Sequence, residues 1–250
     1  MKTISVAIAT YNEEANLSRC LDSVASWVDE IVVVDGSSTD RTVEIAKKYT
    51  DKVFIADNPE MFHINKQKAL DKCSGKWILQ LDADEIVSEE LKQEMMQATS
   101  SQLIAGYFIP RKNFFMGRWM RKGGLYPDYV VRLFQKGKGQ LPCKDVHEQV
   151  KITGKTDYLK HDLLHYPYSD FSKYLQKADV YTSLTAKNLH EDKLAKYIIV
   201  RPIKTFLSIY FRHLGFLDGF PGFVWAFYSA LHYPITYIKY WEKKNNNLTI

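Results

Sequence analysis

The acidic tetrad Asp-Ala-Asp-Glu at residues 82–85 directly follows an apolar run at residues 77–81. A run that is apolar nearly throughout is typical of a buried strand in a parallel sheet, and such sheets bind ligands at the carboxyl ends of their strands. Asp82 and Asp84 would face the same side of an extended chain, and paired carboxylates suit a hard divalent cation that carries phosphates. The alternative is an acidic loop that only precedes a helix capped by Ser88.

Two more polar loops follow predicted strands earlier in the chain. The first is Thr-Tyr-Asn-Glu at residues 10–13, and the second is Asp-Gly-Ser-Ser-Thr-Asp-Arg-Thr at residues 35–42. The carboxylate of Asp35 can accept a hydrogen bond from a nucleobase N–H or a ribose hydroxyl, and Gly36 lets the backbone approach a ligand closely. The sequence contains neither a P-loop nor a Gly-x-Gly-x-x-Gly motif, which argues against kinases, NTPases and dehydrogenases.

The elements that position these loops alternate between strands and helices. We predict strands at residues 4–9, 30–34, 53–56 and 77–81, and helices at residues 13–26, 42–48 and 65–72. This alternation predicts an α/β fold with a mostly parallel sheet flanked by helices. Right-handed crossovers would bring Thr10, Asp35 and Asp82 to one edge of that sheet. Helical signals take over near Ser169, so we predict a catalytic domain at residues 1–168 and a helical region at residues 169–250.

Composition indicates an ordinary globular protein of 250 residues, 46% hydrophobic and 25% charged. Its three cysteines are odd in number and lack metal-ligand spacing, which predicts reduced thiols in a cytosolic compartment. The apolar stretch in residues 1–10 is too short for a signal peptide, so we expect no export.

The excess positive charge lies entirely in the C-terminal segment. Residues 196–250 contain seven Lys or Arg against two acidic residues, whereas residues 1–195 contain 27 of each sign. Basic residues spread among large apolar side chains suit the interface of an anionic membrane, where each contributes about 1 kcal/mol, and they argue against a nucleic-acid partner. We therefore predict an amphipathic, membrane-associating segment at about residues 197–241.

Within this segment, we predict short helices at residues 202–210 and 224–233, joined by a glycine- and proline-rich turn. Pro221 and Pro234 should interrupt any helix long enough to span a bilayer. Two alternatives stand beside membrane association. The helices would instead cover a hydrophobic face of the catalytic domain or form a homodimer interface.

Taken in order and spacing, the three polar motifs resemble family 2 glycosyltransferases, which have the Rossmann-like GT-A fold. Further motifs resemble the bacterial branch that includes the lipopolysaccharide core β-1,4-glucosyltransferases. They are Ile-Pro-Arg-Lys-Asn at residues 109–113, Gly-Gly at 123–124, Arg-Leu-Phe at 132–134, Val-His-Glu at 146–148, and the ending Arg-Pro…Gly-Phe-Leu-Asp-Gly. The resemblance extends over about residues 3–241 and is strongest in the first half.

The resemblance implies a UDP-sugar donor and a divalent cation, Mn²⁺ or Mg²⁺. The residues that would hold uridine are Thr10, Tyr11, Glu13 and Asp35. Asp82 would contact the ribose, and Lys66 would approach the diphosphate unless it is a solvated helix residue. Asp84 would bind the metal together with a late histidine, His165, for which His161 is the competing candidate. An imidazole ligand favours Mn²⁺ over Mg²⁺.

Glycosyl transfer to an alcohol needs a base that accepts the hydroxyl proton. The resemblance places this base at Glu148, while His147 would aid acceptor binding or orient Glu148. A single displacement without a covalent intermediate would invert the anomeric configuration. Arg132 would bind an acceptor phosphate or brace the site. The basic and aromatic stretch that contains Arg111, Lys112, Trp119 and Arg121 suits a sugar or anionic acceptor, with packing as the alternative.

These observations predict an inverting, metal-dependent hexosyltransferase that uses a UDP-sugar, with glucose as the expected sugar. Its acceptor would be a glycolipid or the lipopolysaccharide core, and the enzyme would be cytoplasmic and peripheral on the cytoplasmic face of the inner membrane. One alternative acceptor is another cell-surface polysaccharide or lipid-linked precursor. The rival classes are a nucleotidyltransferase, whose glycine-rich basic N-terminal loop is missing here, and a membrane-bound scaffold that binds nucleotide-sugars.

Overall fold

The computed structural model describes residues 3–59, 61–143, 149–190 and 193–246. The chain divides into two compact units. The first unit contains Met1–Lys112 and Asp128–His165, and the second contains Asn113–Pro127 and Tyr166–Ile250. The second unit thus includes the segment 113–127, which the sequence pattern does not separate from the predicted catalytic domain. All three cysteines are free thiols.

Strands and short helices alternate in the first part of the chain. They are β1 (Ile4–Thr10), α1 (Leu17–Asp22), β2 (Glu30–Asp35), α2 (Thr42–Lys47), β3 (Val53–Ile55), α3 (His63–Lys72), β4 (Trp77–Asp82), β5 (Glu85–Val87) and α4 (Glu89–Ala98). Mostly strands follow, namely β6 (Gly106–Phe115), β7 (Arg118–Trp119), β8 (Asp128–Gln135), β9 (Gly139–Gln140), β10 (Lys151–Ile152), β11 (Thr156–Tyr158) and β12 (Leu163–His165).

The sheet of the first unit is mixed, with the strand order β3-β2-β1-β4-β8-β6-β12-β5. The strands β1 to β4 pair in parallel, as the sequence predicts for a βαβ arrangement. The strand β8 joins β4 antiparallel, so the later strands extend the sheet with the opposite orientation. The predicted α/β fold is therefore confirmed, and its parallel part is the half that carries the three polar loops.

The register of β1 aligns the ends of three strands. Thr10 lies opposite Asp35 on β2, and Ala9 lies opposite Asp82 on β4. Apolar side chains along these strands are fully buried between the flanking helices, among them Ile8 and Leu79. The predicted meeting of the polar loops at one sheet edge is confirmed.

The helix α1 is shorter than the predicted helix at residues 13–26. The backbone N–H groups of Asn12, Glu13 and Glu14 donate to side chains of the second polar loop, and residues 13–17 form a turn instead of a helix. The predicted cap of the next acidic helix is confirmed, because Ser88 accepts from the Leu91 N–H at 3.2 Å.

Three α-helices dominate the second unit. They are α5 (Phe171–Lys187), α6 (Arg201–Leu207) and α7 (Gly219–Asn246). Five-residue π-helical turns flank α6 at Lys196–Val200 and Ser208–Arg212, and a 3₁₀ turn at Gly215–Asp218 leads into α7. In the described ranges, no helix combines the length and the apolar character needed to cross a membrane.

The prediction that prolines break the C-terminal helix is wrong. The helix α7 contains Pro221 in its first turn, where N–H groups lack helical partners anyway, and it continues through Pro234. Packing holds the helix around Pro234, because Thr236 and Tyr237 are buried and Lys239 pairs with Asp179 of α5 at 2.6 Å.

Candidate functional site

Asp35 organises the first two polar loops. Its side chain is fully buried, and its carboxylate accepts from the Thr10 hydroxyl at 3.0 Å, from the Ser38 N–H at 2.7 Å and from the Ser38 hydroxyl at 2.6 Å. Three donors compensate the carboxylate for the loss of water. The structure thus brings together two of the residues predicted to hold uridine, Thr10 and Asp35.

The two loops also bind each other through backbone donors. The Asn12 N–H donates to the Ser38 hydroxyl and the Glu13 N–H donates to the Thr42 hydroxyl, both at 2.8 Å. Asn12 has a φ of 53°, in the left-handed region that asparagine tolerates better than most residues. Tyr11 projects from this bend with 46% of its surface exposed, so its ring is accessible at the sheet edge.

A buried guanidinium pairs with two carboxylates of the tetrad. Arg132 on β8 lies 2.8 Å from the carboxylate of Glu85 and 2.6 Å from that of Asp82, and it also donates to the amide oxygen of Gln80. Glu85 is fully buried and accepts from the Asp82 N–H at 3.0 Å. Of the two roles predicted for Arg132, this geometry favours bracing the site.

Asp82 pairs with two cations, because Lys66 on α3 contacts the carboxylate oxygen that Arg132 does not. Burial acts to raise the pKa of Asp82, but Arg132 and Lys66 outweigh it and hold that pKa well below its usual range. Asp82 is therefore a carboxylate at neutral pH. Lys66, which was predicted to approach the diphosphate, is mostly buried with its ammonium against Asp82.

The two predicted metal ligands lie side by side. The Asp84 Oδ1 and His165 Nε2 atoms are 3.6 Å apart, and both side chains are mostly buried. The antiparallel pairing of β12 with β5 causes this approach, because it sets His165 opposite Glu85. The competing His161 instead contacts Glu94, with 2.9 Å between Nδ1 and the carboxylate. In the part of the chain that the structure describes, no group of three or more His, Cys, Asp or Glu is arranged to hold a metal.

The remaining predicted site residues either contact other groups or fall outside the residues that the structure describes. Glu148 and His147 fall outside the described residues, and their roles stay predictions. In the first unit, Arg111 pairs with Asp128 at 2.7 Å and Lys112 pairs with Asp162 at 3.3 Å. In the second unit, the Arg121 guanidinium lies 4.4 Å from the centre of the Trp119 ring. The basic and aromatic stretch is therefore split between ion pairs and ring packing.

Sequence reasoning did not assign a role to Gln80. Its amide donates to Asp82 at 3.1 Å and accepts from Arg132, so it links the two groups. One signal was present, because Gln80 is the polar residue in the otherwise apolar run at residues 77–81. A buried polar residue in a central strand indicates a partner on a neighbouring strand.

Comparisons with known proteins identify the family of the chain. The family model described as "Glycosyl transferase family 2" matches residues 5–151. The chain is 31% identical over 240 residues to an uncharacterized glycosyltransferase, RT0209, of Rickettsia typhi, which covers 90% of this chain and 82% of the relative. It is 29% identical over 245 residues to the lipopolysaccharide core biosynthesis glycosyltransferase LpsC of Rhizobium meliloti, which covers 91% of this chain and 90% of the relative.

A solved structure shares the fold. The structure of S. aureus TarS residues 1–349 in complex with UDP superposes with a TM-score of 0.52 at 17% identity. The match covers 87% of this chain and 75% of TarS 1–349. At this identity the likeness concerns the fold alone.

Proposed function

The chain belongs to glycosyl transferase family 2, and on that premise we propose that it transfers a hexose from a UDP-sugar to a glycolipid or the lipopolysaccharide core. The similarity to LpsC over most of both chains supports the acceptor class. The observation that carries the proposal is the approach of Asp84 to His165. This pair follows Asp82, at the sheet edge where β1 and β2 end in Thr10 and Asp35. Glucose is the expected sugar.

UDP is the proposed nucleotide, and TarS, which shares the fold, was crystallised with UDP. In this proposal Thr10, Tyr11, Glu13 and Asp35 hold the uridine. Asp82 contacts the ribose side, and Lys66 neutralises charge on the diphosphate. The exposed ring of Tyr11 supports a stacking contact with the base.

The donor atoms near the tetrad fit a divalent cation. Asp84 offers a carboxylate oxygen and His165 an imidazole nitrogen, and this mixed pair suits Mn²⁺ better than Mg²⁺. Two protein donors leave coordination positions for diphosphate oxygens. When bound, such a cation would stabilise the negative charge on the departing diphosphate.

The chemical step is a single displacement at the anomeric carbon. The acceptor oxygen forms a bond to this carbon as the bond to the UDP oxygen breaks, and Glu148 accepts the hydroxyl proton. Attack from the opposite face inverts the configuration and gives a β-linked product from an α-linked donor. His147 would orient Glu148 or bind the acceptor.

A direct test incubates the protein with a panel of UDP-sugars and bacterial membrane lipid extracts. UDP release identifies the donor, and the mass of the new glycolipid identifies the acceptor and distinguishes the lipopolysaccharide core from another lipid-linked precursor. Release of pyrophosphate would indicate a nucleotidyltransferase. Binding of a UDP-sugar without hydrolysis or transfer would indicate a scaffold.

Two variants test the assigned roles. Glu148→Gln should retain UDP-sugar binding and lose transfer, whereas Asp84→Ala should lose metal-dependent donor binding. The exposed Glu89 offers a matched control, because Glu89→Gln removes a carboxylate that pairs with Lys92 and has no assigned role in the reaction. Full activity of Glu148→Gln would show that Glu148 is not the base.

We propose a peripheral location on the cytoplasmic face of the inner membrane, where a membrane-borne acceptor would be reached. The basic and aromatic composition of residues 197–241 supports this location. The homodimer interface remains the alternative use of this segment.

A further inference from the structure

The second unit exposes a contiguous patch of aromatic rings. Phe206 and Phe211 lie 5.3 Å and 5.1 Å from the Tyr210 ring, between ring centres, and Phe216 and Phe223 lie 6.2 Å and 6.0 Å from it. We call the following rings the aromatic patch: Phe206, Tyr210, Phe211, Phe216, Phe223 and Phe227. Phe211 is 54% exposed and Phe216 is 42% exposed. A contiguous exposed apolar patch marks an interaction site, unlike single scattered apolar residues.

An apolar ridge runs along the helix toward this patch. It consists of side chains four residues apart that are each about half exposed, namely Ile199, Ile203, Leu207 and Phe211. In an α-helix with 3.6 residues per turn, a spacing of four rotates steadily around the axis. The wider π-helical turns at Lys196–Val200 and Ser208–Arg212 counter that rotation and keep the ridge on one side.

Hydrogen bonds hold a basic loop, residues 118–122, next to the aromatic patch. Asp218 is 1% exposed, and its carboxylate accepts from the Arg121 N–H at 3.2 Å and the Lys122 N–H at 2.8 Å. The Arg118 guanidinium donates to the Leu217 carbonyl at 3.4 Å. The side chains of Arg118, Arg121 and Lys122 are exposed, so this basic loop (residues 118–122) presents its charges beside the 3₁₀ turn that contributes Phe216 to the patch.

The exposed charge contributed by residues 193–241 and 113–127 has one sign. Between residues 193 and 241 the sequence contains a single acidic residue, Asp218, and segment 113–127 contains none. Because Asp218 is buried against the basic loop, it puts no negative charge on the surface. Lys204 and Arg212 add exposed positive charge beside the ridge.

We propose that the apolar ridge, the aromatic patch and the basic loop dock together on an anionic lipid bilayer. Aromatic side chains insert at the headgroup level, and the basic residues face lipid phosphates. This inference rests on the proposed function, because docking would hold the enzyme on the surface that carries its acceptor. It also adds the basic loop, some hundred residues earlier in the chain, to the segment that composition alone identifies.

Charge selects the bilayer over a second copy of the chain. Two copies that met through this surface would bring their basic loops together, and juxtaposed like charges oppose association. A nucleic acid would match the charge but would leave the phenylalanine rings of the patch without an apolar partner.

The test is cosedimentation of the full-length protein with vesicles. Phosphatidylcholine vesicles that contain about one third phosphatidylglycerol should bind it about tenfold more tightly than pure phosphatidylcholine. The double variants Phe211→Ser/Phe216→Ser and Lys122→Glu/Arg212→Glu should each weaken binding to the anionic vesicles by about tenfold or more.

Matched controls alter exposed residues of the first unit. Met96→Ser/Leu103→Ser removes two side chains that are 53% and 82% exposed, and Lys47→Glu/Lys76→Glu reverses two exposed charges. Both controls should bind vesicles like the wild type. Circular dichroism melting curves for every variant show whether a loss of binding reflects a loss of fold.

Absence of wild-type binding to the anionic vesicles would overturn the proposal, as would an equal loss in the controls. A wild-type dimer in vesicle-free buffer that Phe211→Ser/Phe216→Ser converts to monomer would assign the surface to a second copy. UDP release from UDP-sugars, measured without vesicles but with detergent-solubilised membrane lipid extract as the acceptor, separates this inference from the proposed function. UDP release with no vesicle binding would overturn the docking proposal alone. Vesicle binding with no UDP-sugar consumed would overturn the proposed enzymatic function alone.

Discussion

Arg132 contacts the side chains of Gln80 and Asp82 on the neighbouring strand β4 and that of Glu85 on β5. We expect Arg132→Met to lower the free energy of unfolding by about 3–5 kcal/mol, because two carboxylates would lose their buried counter-ion. Urea unfolding followed by circular dichroism measures this change. Arg41→Met, which removes a guanidinium that is mostly exposed, is the control and should change little. Equal effects for the two variants would contradict the bracing role.

The same network predicts how stability depends on pH. Because the pKa of Asp82 in the folded protein lies well below that of an unfolded aspartate, Asp82 contributes stability that is fully present above about pH 4. That contribution is lost as the pH falls from there through the lowered pKa.

Removing the Arg132 guanidinium should change this acid profile. In Arg132→Met, the effect of burial would no longer be outweighed as strongly, and the pKa of Asp82 would rise. The folded variant would then bind the Asp82 proton at a higher pH than the folded wild type does, so its deficit in unfolding free energy relative to the wild type should narrow as the pH falls from about 6 to about 3. Urea unfolding at several pH values measures the deficit, and a deficit independent of pH would contradict the assignment to Asp82.

Lys66 and Lys68 lie on the same helix and offer a matched pair of variants. Lys66 pairs with Asp82, whereas Lys68 is exposed and contacts Asn65 at 3.1 Å. Lys66→Met should raise the KM for the UDP-sugar by about tenfold, because it removes a charge proposed to bind the diphosphate. Lys68→Met should leave the KM unchanged. Steady-state kinetics of UDP release provide the comparison, and identical KM values for both variants would count against Lys66 as a donor ligand.

At the level of elements, the sequence predicted the parallel half of the sheet well. Apolar runs that end in polar loops mark β1, β2 and β4, and the crossover rule places their ends together. The antiparallel strands escaped prediction because their partners are distant in sequence. Periodicity could not show that β8 pairs with β4, which sets Leu133 opposite Leu79 and brings Arg132 to the tetrad.

Helix bounds failed where contacts beyond the local sequence decided them. Residues 12–14 form hydrogen bonds to the second polar loop and α1 begins only at Leu17, whereas packing against α5 carries α7 through Pro234. The pairing of Asp84 with His165 followed from the family resemblance, not from any local pattern. The structure supplies its physical cause in the β5–β12 pairing.

Gly222 allows the start of α7 to approach the 3₁₀ turn before it. A Cβ atom at this position would overlap the Gly215 carbonyl oxygen and lie 3.0 Å from the Gly215 carbonyl carbon. Because backbone cannot yield as a flexible side chain does, Gly222→Ala should destabilise the second unit by about 1–3 kcal/mol. Thermal unfolding measures the loss, with Ser229→Ala on the same helix as the control. An unchanged melting temperature in Gly222→Ala would show that the turn can move away.

Across the whole molecule, charge and exposed apolar surface are unevenly distributed. Residues 1–195 are balanced in charge, whereas the C-terminal segment carries the entire excess. The same segment carries the ridge and the aromatic patch, and the basic loop joins it in the second unit. Composition predicted the segment, but only the fold shows that buried Asp218 fastens the loop there, because its partners lie about a hundred residues away in sequence.

This distribution predicts how salt affects membrane binding. Raising the salt from about 0.05 M to about 0.5 M shortens the screening length severalfold, so binding of the wild type to phosphatidylglycerol-containing vesicles should weaken by about tenfold. Cosedimentation across a salt series measures this dependence. Phe211→Ser/Phe216→Ser should bind more weakly but keep the slope, because its charges remain. Lys122→Glu/Arg212→Glu should show a flatter slope, because its residual binding is largely apolar. If the wild type binds equally at both salt concentrations, the basic loop does not face the lipid.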